Sequence, residues 1–313
     1  MLGYLIRRLG IAVLMVGIVG SLAFFLVAAM PNDVTQTILG PDATAQQRAE
    51  LRTTLGLDRP VLVRFADFWG GFVQGDLGSS LVTGRPVIDQ VIERLPVTLT
   101  LAMGGTLVCV VIGVVVGTIA ATRGGAIDSA IRGVSGALLA LPNFWFAVLL
   151  VFVFAVTLRV LPASGWTPFT SDPARWAVQL TLPLVAIAIG SSASITRQAR
   201  IAMLDVLHRD YISTLRAAGI PEWRVIWVHA LRNASIPVLT VVGLQFVSLF
   251  GGAVLIEQVF SLPGVGQLAL TAVNVGDVPL ILGIVVCTSV VILAMNLVVD
   301  LLYGVINPKA RLA

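Results

Sequence analysis

Apolar residues run almost unbroken by charge over six stretches, 9–30, 97–122, 133–158, 179–196, 234–256 and 280–302, the last with Asp300 near its end. A hydrocarbon core of ~30 Å takes about 20 residues at a rise of ~1.5 Å each. Each stretch is therefore predicted to be a transmembrane helix, and the chain an all-α membrane protein with six spans. The run 179–196 is the shortest of them. The first run follows Arg7 and Arg8, exceeds the length of a signal-peptide core and has no small-residue cleavage site before Pro31, so it reads as a retained helix.

Two polar segments interrupt the spans. In 31–96, Thr44 and Gln47 have the spacing of a capping box that opens a helix running to Leu55, with Gly56 as its left-handed stop. Pro60 suits the first turn of a second helix, in which Phe65, Phe68, Trp69 and Phe72 share one face. Such a stripe is usually a buried face. Gly75-Asp76-Leu77-Gly78 reads as a turn. The second segment, 197–233, carries six arginines and three acids. Ile201, Leu204, Tyr211, Ile212 and Leu215 give it a broken apolar face, and Arg209, Asp210 and Arg216 stay polar. Gly219 ends one helix and Pro221 opens the next, which predicts a sharp corner. The chain thus divides into 1–30, with the first span, a locally folded helical segment 31–96, and a core 97–313 holding five spans and the loop 197–233.

Composition supports the membrane reading. Hydrophobic residues make up 57% of the chain and charged ones 12%, with a mean hydropathy of +0.97, whereas a soluble domain carries about a quarter charged residues. The net charge of +4 and pI near 9.7 report topology in such a chain, and no nucleic-acid partner is expected. With the N-terminus inside, 12 of the 20 basic residues but only 5 of the 16 acids fall on the inner side. The positive-inside rule then places both termini in the cytoplasm and 31–96 outside.

Little chemistry is available to the chain itself. The one lysine, Lys309, is four residues from the end, so a nucleotide-binding P-loop is excluded. Cys109 and Cys287 lie in apolar runs, which excludes a disulfide framework. His208 and His229 have no nearby cysteine, and no H-E-x-x-H occurs, so neither a metal site nor a hydrolase is expected and no catalytic residue is assigned. A self-sufficient channel or secondary transporter would carry ion-binding carboxylates near mid-span, and Asp300 is the one acid within a drawn span. Polar side chains available to a translocation path are Asn143 after Pro142, Ser191, Ser192, Ser194, Gln245 and Asn296; the same residue types also hydrogen-bond between helices. Gly113-x-x-x-Gly117 allows close helix packing.

The sequence Asp210-Tyr211-Ile212-Ser213-Thr214-Leu215-Arg216-Ala217-Ala218-Gly219, followed after nine residues by His229-Ala230-Leu231-Arg232-Asn233, resembles the EAA loop of ABC importer permeases. Ser213-Thr214-Leu215 stands where the general family pattern has glutamate, alanine and alanine. Gly56-Leu57-Asp58-Arg59-Pro60, Gly75-Asp76-Leu77-Gly78-Ser79-Ser80, Glu257-Gln258-Val259-Phe260-Ser261-Leu262-Pro263-Gly264-Val265-Gly266 and Asn296-Leu297-Val298-Val299-Asp300-Leu301-Leu302-Tyr303 are similar to the first permease of dipeptide and oligopeptide importers. The resemblance covers nearly the whole chain. It implies the type I ABC importer permease fold in a bacterial inner membrane, a second homologous permease, two ABC ATPase subunits that bind ATP and Mg, and an extracytoplasmic solute-binding protein, with no cofactor in this chain. It also implies that Arg209, Asp210, Tyr211, Thr214, Arg216, Ala217, Gly219 and His229 couple to the ATPases, and that Glu257, Phe260, Pro263 and Gly264 belong to an outer gate or mouth. Di- or oligopeptides are the implied solute; glutathione, nickel chelates and haem are the alternatives within the same branch.

Overall fold

The computed structural model describes residues 2–29 and 34–306. Lys309 and Arg311, counted above among the inner charges, and the side chain of Asp300 lie outside the described residues. In chain order the helices are α1 (Leu2–Ala28), α2 (Val34–Leu39), α3 (Ala45–Thr54), α4 (Val61–Val73), α5 (Val87–Arg123), α6 (Gly125–Ala140), α7 (Asn143–Leu150), α8 (Pro173–Leu207), α9 (Asp210–Ala217), α10 (Glu222–Arg224), α11 (Leu231–Val259), α12 (Val265–Val275) and α13 (Val278–Ile306). Wider π turns extend α7 over Val151–Thr157 and join α10 to α11 over Val225–Ala230. Extended pairing among the described residues is confined to one antiparallel bridge, Ser79 with Pro86. Among the described residues five helices are long and apolar enough to cross a membrane, six if one bent pair makes a single span.

That pair is the expected third span. Its residues do not form one rod: Gly125–Ala140 and Asn143–Thr157 meet at 95°. Pro142 explains the break, because it removes a backbone donor and forces Leu141 out of helical geometry, to ψ 136°.

The chain forms two compact units, Met1–Val97 with Pro263–Ala294, and Thr98–Leu262 with Met295–Ala313. In the first, α3 opens with the expected capping box at Thr44 and Gln47. The aromatic face of α4 lies on α1: Phe65 and Phe68 pack on Phe24 with ring centroids 5.3 and 6.0 Å apart, and the Trp69 ring covers Gly20. Leu77, Val87, Val91, Val265, Leu268 and Ile284 form its main apolar core. Asp277, 1% exposed, ties this unit together. Its carboxylate accepts from Ser80 Oγ, from the Leu81 amide at 3.1 Å and from the Leu280 amide at 3.4 Å, so it caps α13 while holding the turn after residue 78.

The second unit is built around α8. Two-thirds of its apolar window is buried, against a third or less for the other four long helices. The side of α5 facing it is a row of small residues one turn apart. Cβ atoms added at Gly105, Gly113 and Gly117 would lie 2.5 Å from Ile187, 2.6 Å from Ile195 and 2.6 Å from the Thr196 carbonyl, while the Cys109 thiol donates to the Ala188 carbonyl at 3.4 Å. Gly113 and Gly117 therefore belong to a longer small-residue seam than their spacing alone suggested.

Candidate functional site

The 197–233 segment folds as a corner, with more breaks than its sequence suggested. The apolar face expected on one helix is shared by two: α8 ends at Leu207 and α9 starts afresh at Asp210. Ile212 anchors α9, being fully buried. After α9, Gly219 adopts φ +75°, a conformation that costs an L side chain about 1 kcal/mol or more. The Ile220 amide bonds back to the Leu215 carbonyl at 3.2 Å and the Gly219 amide to the Arg216 carbonyl at 3.0 Å, which satisfies the last carbonyls of α9. Pro221 then opens α10.

Two side-chain bridges brace this corner. The Arg216 guanidinium donates to both Glu222 oxygens, at 3.1 and 2.6 Å, and Asn233 Nδ2 donates to Tyr211 Oη at 2.8 Å and to the His229 carbonyl at 3.3 Å. Arg209, Asp210, Thr214, Arg216, Ala217 and Gly219 are exposed, while Tyr211 and His229 are half-buried. Trp223 and Trp227 add exposed indoles beside the corner, with the Arg224 guanidinium over the Trp223 ring, 5.4 Å from its centroid. The arrangement is a braced, exposed protrusion with mixed charge and two aromatic anchors. Sequence reasoning placed Ile212 on the apolar face and Asn233 in the loop motif without giving either a bracing role, and it missed Glu222. The signals were present: Ile212 lies between Tyr211 and Leu215 on the apolar face, Glu222 lies six residues after Arg216, and Asn233 lies one turn after His229.

The residues expected at the mouth are mostly inside the protein. Glu257 is fully buried near the end of α11, accepting from Thr98 Oγ1 at 2.6 Å. Phe260 and Gly264 are buried, and Pro263 is exposed. Among the path candidates, Asn143 Nδ2 donates to Ser191 Oγ at 3.3 Å, and the Asn143 side chain occupies the notch over Gly190. Ser192 turns back to the Ile189 carbonyl at 2.8 Å. Ser194, Gln245 and Asn296 are half-buried on α8, α11 and α13. In the first unit, a cavity of about 270 Å³ is lined by Arg59, Arg64, Asp67 and Asp76 among apolar residues. Burial lowers the Arg64 pKa from its ordinary value, yet arginine stays charged at any physiological pH. Among the described residues no group of three or more potential ligands converges on a metal site.

Residues 113–312 match the model of the binding-protein-dependent transport system inner membrane component, and residues 1–102 match its N-terminal companion. The chain belongs to this family. Its relatives include a probable peptide ABC transporter permease protein of Sinorhizobium fredii, 37% identical over 98% of this chain and 99% of that one. The oligopeptide transport system permease protein AppB of Bacillus subtilis and the dipeptide transport system permease protein DppB of Escherichia coli are each 35% identical, with 99% of both chains covered. A chain of the MetNI methionine ABC transporter, solved in inward-facing conformations, superposes with a TM-score of 0.56 at 14% identity, over 70% of this family member and 96% of that chain. The fold is that of a type I ABC importer permease, and the protein is a multi-pass membrane permease subunit.

Proposed function

We propose that this chain is the transmembrane subunit of an ATP-driven importer of di- or oligopeptides, forming half of the translocation pathway beside a second, homologous permease. The observation that carries the reading is end-to-end similarity to permeases named for peptide transport. The chain itself is not an enzyme in this reading. Two partner ATPases bind ATP and Mg, an extracytoplasmic solute-binding protein delivers peptide, and both termini face the cytoplasm of a bacterial inner membrane.

The work enters through α9. Its exposed face, from Arg209 to Ala217, with Trp223 beside it, is a docking surface of the kind that aromatic and charge-assisted contacts favour. Ile212 and the two bridges around Gly219 keep it rigid enough to pass motion into α8 and α11. ATP and loaded binding protein shift the spans only by the difference in their affinity for the two states. Residues 31–96 form the extracytoplasmic helical segment, Glu257, Phe260, Pro263 and Gly264 contribute to the outer gate, and Asn143, Ser191, Ser194, Gln245 and Asn296 are the candidates for the path.

The test is uptake of a labelled dipeptide by cells expressing the chain with its neighbouring genes, together with co-purification of ATPase subunits in mild detergent. Ala217→Arg is the informative variant, because Ala217 is exposed and its substitution leaves the packing of α9 intact. Loss of both uptake and ATPase co-purification with normal membrane abundance is expected. Normal uptake by this variant removes α9 as the coupling element, and absence of dipeptide uptake by the unmodified chain removes the peptide assignment.

A further inference from the structure

Between α6 and α8 lies a cleft of about 320 Å³ whose walls include Ile131, Leu139 and Ile201 and whose rim carries Arg132, Arg197 and Arg200. The nearby acid, Asp128, is 7% exposed. Its carboxylate accepts from Arg200 Nε and, at 2.7 Å, from Nη2, and makes a second ion pair with Arg132 at 3.3 Å. One carboxylate against three guanidiniums leaves a surplus of two positive charges. Asp128 also fixes the Arg200 fork and leaves three of its five N–H donors for another acceptor.

We propose that this cleft binds an anionic membrane phospholipid, the phosphate on the arginine rim and part of one acyl chain against the apolar wall. Phosphate oxygens match the planar fork of arginine and take paired N–H donors from it. Basic pockets between transmembrane helices hold anionic headgroups by this combination of charge and shape. A free inorganic anion would satisfy the rim but gains nothing from the wall. A zwitterionic lipid would fill the wall but leave the surplus charge uncompensated.

Two variants separate the two halves of the site. Arg197→Gln removes rim charge without touching the Asp128 cluster. Gly136→Phe fills the cleft, since Gly136 lines it and has open space around its Cβ position. The full chain, purified with its co-expressed partner subunits, is delipidated, mixed with phosphatidylglycerol or phosphatidylcholine, and read by non-denaturing mass spectrometry. Selective retention of phosphatidylglycerol is expected, about fivefold weaker in Arg197→Gln and lost in Gly136→Phe, with thermal stability unchanged in the first. Equal retention of the two lipids, or retention insensitive to both variants, overturns the proposal. So does competition by inorganic phosphate that leaves Gly136→Phe without effect, which marks a free-anion site. Loss of a partner subunit in place of lipid overturns it as well and marks a protein interface.

Discussion

Gly190 has room for a hydrogen atom and little else, since a Cβ there would lie 2.1 Å from Asn143 Oδ1. Gly190→Ala must shift the Asn143 amide, the end of a side chain rather than backbone, and strain its bond to Ser191, so a loss of about 1 kcal/mol is expected, the low end for overpacking. Asn143→Ala in the same chain removes the obstructing group. The double variant should therefore regain most of the loss, and a thermal-unfolding cycle in detergent measures the coupling; strictly additive losses would mean that the two residues do not share this notch. Residues of this kind were only half legible. Asn143 and Ser191 stood out as polar groups within apolar runs, but nothing in the spacing 143 to 191 says that they meet. The pairing of Ser80 with Asp277 was hidden for the same reason, although Gly276-Asp277-Val278-Pro279 carries a helix stop, a cap and an early proline in succession.

For the helices themselves, hydropathy pointed to the spans and misjudged their importance. The run 179–196 stood out as the shortest, ending at Arg197, and Gln179, Ser191, Ser192 and Thr196 give its helix the lowest mean hydropathy of the five, 1.7. Those polar residues are accommodated because α8 is surrounded by protein, where small and polar side chains serve packing better than lipid-facing ones do. The bend at Pro142 was legible in the proline and overlooked in the hydropathy sum. The seam between α5 and α8 gives a sharp contrast. Gly117→Leu would drive a side chain into the Thr196 carbonyl and Ala199, and a loss of about 3 kcal/mol or of expression altogether is expected. Gly10→Ala on α1, with open space at its Cβ, should be neutral or stabilise by up to about 1 kcal/mol. Membrane abundance and melting temperature check both. At the corner after α9, neutralising either Arg216 or Glu222 should cost less than about 1 kcal/mol, since the pair is half exposed. Amide hydrogen exchange across 217–221 should nevertheless quicken in Arg216→Ala and return toward its original rate in the charge-swapped Arg216→Glu, Glu222→Arg protein.

Taken as a whole, the molecule contains two compact units, each with its own core, and a lesion in one should register there first. Asp277→Ala leaves the Leu81 amide and the start of α13 without their acceptor, at a cost of about 2–4 kcal/mol for buried, charge-assisted bonds. Faster hydrogen exchange is expected in 77–97 and 263–290, with 180–206 retaining its protection; uniform loss across both sets would show that the units open together. The division was illegible in advance, because each unit joins segments far apart in sequence, whereas hydropathy reports only neighbours.

From Glu222 to Val259 the backbone stays helical for 38 residues, through the π turns of Val225–Ala230 and past Pro237, a path of up to about 57 Å at the α-helical rise. Moved as one body, a helix of that length is a lever arm. Tilting it by ~10° about its centre moves each tip by roughly 5 Å, in opposite directions. In the coupling proposed above, a push at Trp223 and Arg224 would arrive beside Glu257 as a displacement in the opposite sense, scaled by where along α11 the fulcrum lies.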